Sequence, residues 1–151
     1  MKRTPLKRKP SKKTKRTPQQ ARAMEKRKCI RECDAIVRAL ALARDGGCVV
    51  CGSKDNLQVS HIYPKGKYPL MRFDLDNVEI RCAGHHKFLK GSPHGDPAGF
   101  AEWLAMLPEE RLARLRWEAQ FIGRADILWL RQTHDGLLEG YKAAFGVEWG
   151  E

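Results

Sequence analysis

The chain has 151 residues, 42% of them hydrophobic, and carries 29 Lys or Arg against 18 Asp or Glu, a net charge of +11. That length suits one ordinary domain. No apolar run approaches the ~20 residues that cross a bilayer, and no apolar core follows the basic N-terminus as a secretory signal requires, so no membrane partner is expected. Five cysteines, spaced as CxxC and CxxxC pairs or within a CxxH, fit a reducing compartment better than a disulfide scaffold, and the location read from them is cytoplasmic.

The charge is unevenly placed. Residues 1–28 hold thirteen Lys or Arg and one acid, Glu25, which gives +12 and leaves −1 for residues 29–151. Residues 1–20 have almost no large apolar side chain beyond Leu6 and are interrupted by Pro5, Pro10 and Pro18, which predicts a disordered basic arm. Such an arm attracts polyanions, and each phosphate it neutralises releases a counterion.

Beyond the arm, apolar positions from Ala23 to Leu42 predict an N-terminal helix, assigned to residues 21–46 and ended by Gly46-Gly47. Cys29 and Cys33 lie four apart on one face of it, as two small buried residues would. Val49 to Ile62 reads as a hairpin turning at Asp55-Asn56, and Tyr63 to Pro69 as a loop. Val78 to Arg81 alternates like a strand, and a short helix is expected from His85 to Lys90. Residues 93–151 read as a helical extension with helices through Phe100–Leu107, from Pro108, and over Asp126–Phe145. In it Leu112, Leu115, Phe121 and Ile122 form one apolar stripe, and the four tryptophans are core or packing residues.

Residues 47–92 hold the chemistry. Cys48 and Cys51 form one pair at a two-residue gap, and Cys82 and His85 form another. Two soft or borderline pairs, with Gly52 and Gly84 allowing tight turns, suit a closed tetrahedral structural zinc. A structural zinc needs four ligands, so His61, Asn77 and His86 are left over, in the order His, Asn, His.

This stretch resembles the HNH (ββα-metal) endonuclease family on Ser60-His61-Ile62, Asp76-Asn77-Val78 and His85-His86-Lys87. It is most similar to the phage NinG-type recombination nucleases, on Ser60-His61, Leu70 to Asn77 and the CAGHH that follows. The resemblance covers residues 48–90 and implies an α+β fold: a zinc-stabilised ββα-metal core between the basic arm and the helical extension. It also implies a metal-dependent DNA endonuclease, placed in phage recombination or DNA processing and, if phage-encoded, in the host cytoplasm.

The roles implied are general base for His61 and ligand to a catalytic Mg²⁺ or Mn²⁺ for His86. A neutral imidazole can take the proton of an attacking water, and a dication offsets charge on the phosphorus and leaving oxygen. Asn77 either fixes the loop carrying the base or touches the metal. Many members place Asp, Glu or His before the base as a second metal ligand; this chain has Ser60, leaving Asp74, Asp76, Asn77 and His94 as substitutes, with His94 read as a solvated loop residue. Arg72, Arg81, Lys87 and Lys90 flank the site as phosphate contacts. Two rival readings are a non-catalytic zinc-stabilised DNA-binding module and a protein-interaction adaptor docking through the helical tail.

Because nearly all the excess charge lies in residues 1–28, removing them is expected to weaken DNA binding and flatten its salt dependence. Filter or fluorescence binding across a salt series measures this, and an unchanged slope would rule the arm out as a phosphate-binding element.

Overall fold

The computed structural model describes residues 16–150. Helix α1 runs Pro18–Asp45. Thr17 opens it with a reciprocal cap: its hydroxyl accepts from the Gln20 N–H at 3.2 Å, and the Gln20 side chain accepts from the Thr17 N–H at 3.0 Å. Pro18 occupies the first helical position, where its missing N–H costs nothing. Residues 18–20, expected in the disordered arm, are therefore helical, and residues 1–15 of that arm lie outside the described residues. A truncation that spares the fold has to stop before Thr17, since one ending at residue 28 removes the cap and the Lys26 bond to the Ala125 carbonyl.

Among the described residues the chain forms five α-helices and one two-stranded sheet, an α+β architecture. Strand β1, Leu57–His61, pairs antiparallel with β2, Val78–Cys82, in the register Leu57↔Cys82 to His61↔Val78. The hairpin expected over Val49–Ile62 does not form. Residues 48–52 instead make a tight turn that docks on the far strand, the Val49 N–H donating to the Ile80 carbonyl at 2.9 Å. The long connection from β1 to β2 contains two single-turn 3-10 helices, Pro69–Met71 and Leu75–Asn77. Helix α2, Ala83–Lys87, follows β2 without a break.

The extension supplies α3 (Pro97–Leu104), α4 (Glu109–Glu118) and α5 (Ile127–Phe145). Asp96 and Asp126 cap α3 and α5 by accepting backbone N–H bonds from Gly99 and Trp129. The core draws Cys29, Cys33, Val37 and Ala41 from α1, Val78 and Ile80 from β2, and Leu130 from α5, around Phe73. Both cysteines are thus packing residues, and the Cys29 thiol donates to the Leu130 carbonyl at 3.4 Å. The predicted stripe of the fourth helix is shorter than expected: Leu112 and Leu115 are buried, whereas Phe121 and Ile122 lie past its end and are exposed. Trp117 is also largely exposed, contrary to its reading as a core residue, and meets only the edge of Phe121 among the described aromatic rings.

A second buried centre joins β2 to α3. Arg81 has no exposed surface and forms an ion pair with buried Glu79 at 3.3 Å. Its guanidinium lies over the rings of Trp103 and Phe100, 4.2 and 5.0 Å from their centroids. It also donates to the Gly91 carbonyl at 3.1 Å. Burial pushes the Glu79 carboxyl up, opposed by Arg81 and Arg111. Arg81 is therefore structural and cannot be the phosphate contact expected from sequence.

Breaking a buried pair from one side leaves the other charge unsatisfied, so Arg81→Met is expected to cost about 3–5 kcal/mol. Exposed Lys87→Ala should stay within ~0.5 kcal/mol. Denaturant unfolding of the two variants checks the contrast.

Candidate functional site

Cys48 and Cys51 sit in the turn before β1, closed by a Gly52 N–H bond to the Cys48 carbonyl at 2.7 Å and by Gly52 in the left-handed region, φ 72°. Cys82 ends β2 and caps α2, which carries His85. The ligand atoms of these four residues lie within 4.8 Å of one another. Cys82 Sγ is 3.2 Å and Cys48 Sγ 3.8 Å from His85 Nδ1, and Cys51 Sγ is 4.0 Å from Cys82 Sγ. A tetrahedron with bonds of about 2.3 Å to sulfur and about 2.1 Å to nitrogen has edges of roughly 3.4–3.8 Å. The four side chains are therefore close enough to hold one metal ion. Burial pushes the Cys48 thiol up, but hydrogen bonds from the backbone of Cys82, Val50 and Cys51 outweigh it and bring it down to about 6, so a thiolate ligand is accessible at neutral pH. Among the described residues this is the one group of three or more Cys, His, Asp or Glu so arranged.

A separate cleft of about 380 Å³ lies alongside, lined in part by His61, Lys65, His86 and His94. His61 ends β1, and its Nε2 is 3.0 Å from the Arg72 carbonyl oxygen. A carbonyl only accepts, so Nε2 carries the proton and Nδ1 keeps a free lone pair. Burial lowers the His61 pKa below the ordinary histidine value despite that bond. His86, on α2, lies one residue beyond the metal-cluster His85. Its Nδ1 meets Gln58 Oε1 at 2.8 Å. Burial, reinforced by His94 and by Lys87, holds His86 down to about 4, so the ring is neutral at physiological pH.

Asn77 has no exposed surface. Its Oδ1 accepts from the Tyr63 N–H at 2.7 Å, and its Nδ2 donates to the carbonyls of Tyr63 and Met71 at 3.1 and 2.8 Å. The side chain fixes the loop leaving His61. Enclosed in this way, it cannot touch a metal in the cleft, which removes one of its two expected roles.

The cations expected on phosphate divide by burial. Arg72 is committed to Asp34 through two hydrogen bonds at 2.9 and 2.6 Å, which anchor the segment whose carbonyl orients His61. It is thus a support for His61, not a free phosphate contact. Lys87 is exposed at the end of α2, and Lys90 is exposed in the turn after it. Lys65, which sequence reasoning passed over, is exposed on the cleft wall with His61. Its only sequence signal was a place in the loop after the strand histidine.

The expected substitutes for a second metal ligand separate equally clearly. Ser60 is buried, so neither it nor an Asp put in its place would face the cleft. Asp74 and Asp76 both pair with Arg114, at 2.8 and 2.7 Å. His94, read from sequence as a solvated loop residue, is exposed on the loop after α2, and its ring lies beside that of His86, centroids 5.1 Å apart.

A metal held by the Cys48–Cys51–Cys82–His85 quartet ties the turn before β1 to the start of α2, and such a site forms only in the folded chain. Strong chelation, or Cys48→Ala, is expected to lower the unfolding midpoint markedly, with metal analysis of the native protein giving one tightly held ion. Folded protein that contains no metal and ignores the chelator would contradict this. Comparison of the chain with known protein families, with curated proteins and with solved structures gives no match in any of the three.

Proposed function

We propose that the protein is a metal-dependent DNA endonuclease of the HNH type, with a structural zinc in the Cys48–Cys51–Cys82–His85 quartet. The observation that carries this reading is His61. It is a partly buried imidazole at the end of β1, oriented through Nε2 by a backbone carbonyl, and it shares a cleft with His86 on α2. The order β1, β2, α2, with the quartet beside the cleft, supports it.

In this mechanism Nδ1 of His61 takes a proton from the water that attacks the phosphorus. Nε2 stays protonated on the Arg72 carbonyl, which fixes the tautomer and aims the lone pair. A divalent cation bound at His86 would offset charge on the phosphorus and the leaving oxygen. Gln58 accepts from His86 Nδ1, which leaves Nε2 as the ligating nitrogen. Lys65, Lys87 and Lys90 hold the phosphodiester, and Asn77 keeps the loop from drifting away from the base. DNA is the substrate favoured by the +12 of residues 1–28.

His61→Ala is expected to lower the initial rate of DNA cleavage by about a hundredfold or more, with metal content and DNA affinity unchanged. In the native protein the rate should rise with pH through the His61 titration and then level off. Only the neutral ring accepts a proton, and burial sets that midpoint below ~6.5. Assays on linear, nicked, single-stranded and four-way-junction DNA with added dications measure both. Unchanged cleavage by His61→Ala would end the assignment.

A further inference from the structure

His94 stands on the loop between α2 and α3, and that loop is tightly tied. Ser92 has no exposed surface, and its hydroxyl accepts from the Gly95 N–H at 3.0 Å. The Asp96 carboxylate accepts from Gly91 at 2.8 Å and from Gly99 at 3.1 Å. The loop also presses on the end of α2: a Cβ at Gly95 would lie 2.7 Å from the Lys87 carbonyl oxygen and 3.2 Å from Phe88 Cα. His94 is exposed, yet its backbone is held at a fixed place beside His86.

The spacing of the two rings matches a shared ion. An imidazole bound through nitrogen at about 2.1 Å puts its ring centre roughly 3.2 Å from the ion. Two such ligands at about 90–110° then have centroids roughly 4.5–5.2 Å apart. His86 and His94 are at 5.1 Å, with planes tilted by 50° and not stacked. His86 already has its Nδ1 on the Gln58 side-chain oxygen, the outer partner that a ligating histidine needs to fix its tautomer.

The donors around this point are unusual for a magnesium site. The cleft wall contributes histidines and Lys65 but no carboxylate. The nearest substitutes by sequence, Asp74 and Asp76, are occupied by Arg114. Mg²⁺ demands oxygen ligands, whereas paired imidazoles suit first-row transition dications.

We propose that His86 and His94 together form a two-imidazole seat for a transition-metal dication (Mn²⁺, Co²⁺, Ni²⁺ or Zn²⁺), and that this ion, not Mg²⁺, serves the cleft. The second half of this rests on the nuclease reading above; the metal seat itself does not. His94 replaces the ligand that Ser60 cannot supply.

The test uses full-length protein without a polyhistidine tag, its quartet already filled with zinc, titrated calorimetrically with Ni²⁺ and followed by its visible d–d bands. One additional Ni²⁺ is expected. His94→Ala and His86→Ala should each weaken it at least about tenfold, and Gln58→Ala should weaken it by a smaller factor. His61→Ala should leave it in place. Cleavage in parallel should run with Mn²⁺ or Ni²⁺, fall about tenfold or more in His94→Ala at low metal, and recover as the metal is raised. Loss of no nickel affinity in His94→Ala would overturn the seat. Wild-type cleavage by that variant in Mg²⁺ would overturn the claim that this ion serves the cleft, while leaving the nuclease reading standing. Nickel binding that needs both histidines, in a protein that cuts no DNA, would support the seat and overturn the nuclease reading and the half that rests on it.

Discussion

The amide of Asn77 satisfies three backbone groups at once, and the geometry of the cleft depends on it. A buried side chain that bonds to Tyr63 at both N–H and carbonyl and to the Met71 carbonyl closes the loop between the strands like a clasp. Few other polar side chains offer two donor hydrogens and an acceptor in one flat group of this size. Replacing it by an apolar residue would remove all three partners, and the buried Met71 carbonyl alone would cost roughly 1–3 kcal/mol. With the loop closed, the Arg72 carbonyl meets the ring of His61, and the pair with Asp34 on α1 holds that segment from the other side.

Arginine in this protein is largely architectural. Arg44 reaches the Leu75 and Val78 carbonyls at 2.6 and 2.8 Å, Arg111 reaches the Asp76 carbonyl at 2.8 Å, and Arg114 gathers Asp74 and Asp76. Each binds the connection between the strands to a helix. The planar fork of guanidinium suits that work, since it serves several acceptors in fixed directions. Lysine supplies the exposed charge around the cleft, at Lys65, Lys87 and Lys90. A point charge on a flexible stem can follow a phosphate without fixing its orientation.

The quartet and the cleft communicate through one short helix. α2 has five residues, too few to persist on its own in water. Its first turn is tied down by Cys82 and His85, and its far end by the loop carrying His94 and by Arg81 reaching the Gly91 carbonyl. His85 and His86 are adjacent in sequence, so a metal that fixes the first also sets the direction of the second. The exposed apolar side chains of Trp117, Ile122 and Leu128 stand apart from this arrangement.

What the sequence determined by itself was local. The periodicity of α1 and its stop at Gly46, the boundaries of α5 near Asp126 and Phe145, and the two-residue gap within each ligand pair depend on residues a turn or less apart, where spacing fixes direction. Long-range partners were not legible in the same way. β1 pairs with β2 and not with the segment before it, because the Cys48–Gly52 turn folds tightly and docks on Ile80 instead of extending as a strand. Arg72 and Arg81 read as surface cations because nothing near them in sequence announces Asp34 or the Trp103 ring. Only tertiary packing decides which charges are desolvated and paired. The same holds for His94: eight residues after His86 and in a glycine-bearing loop, it reaches that ring because Ser92, Gly95 and Asp96 turn the chain back onto α2.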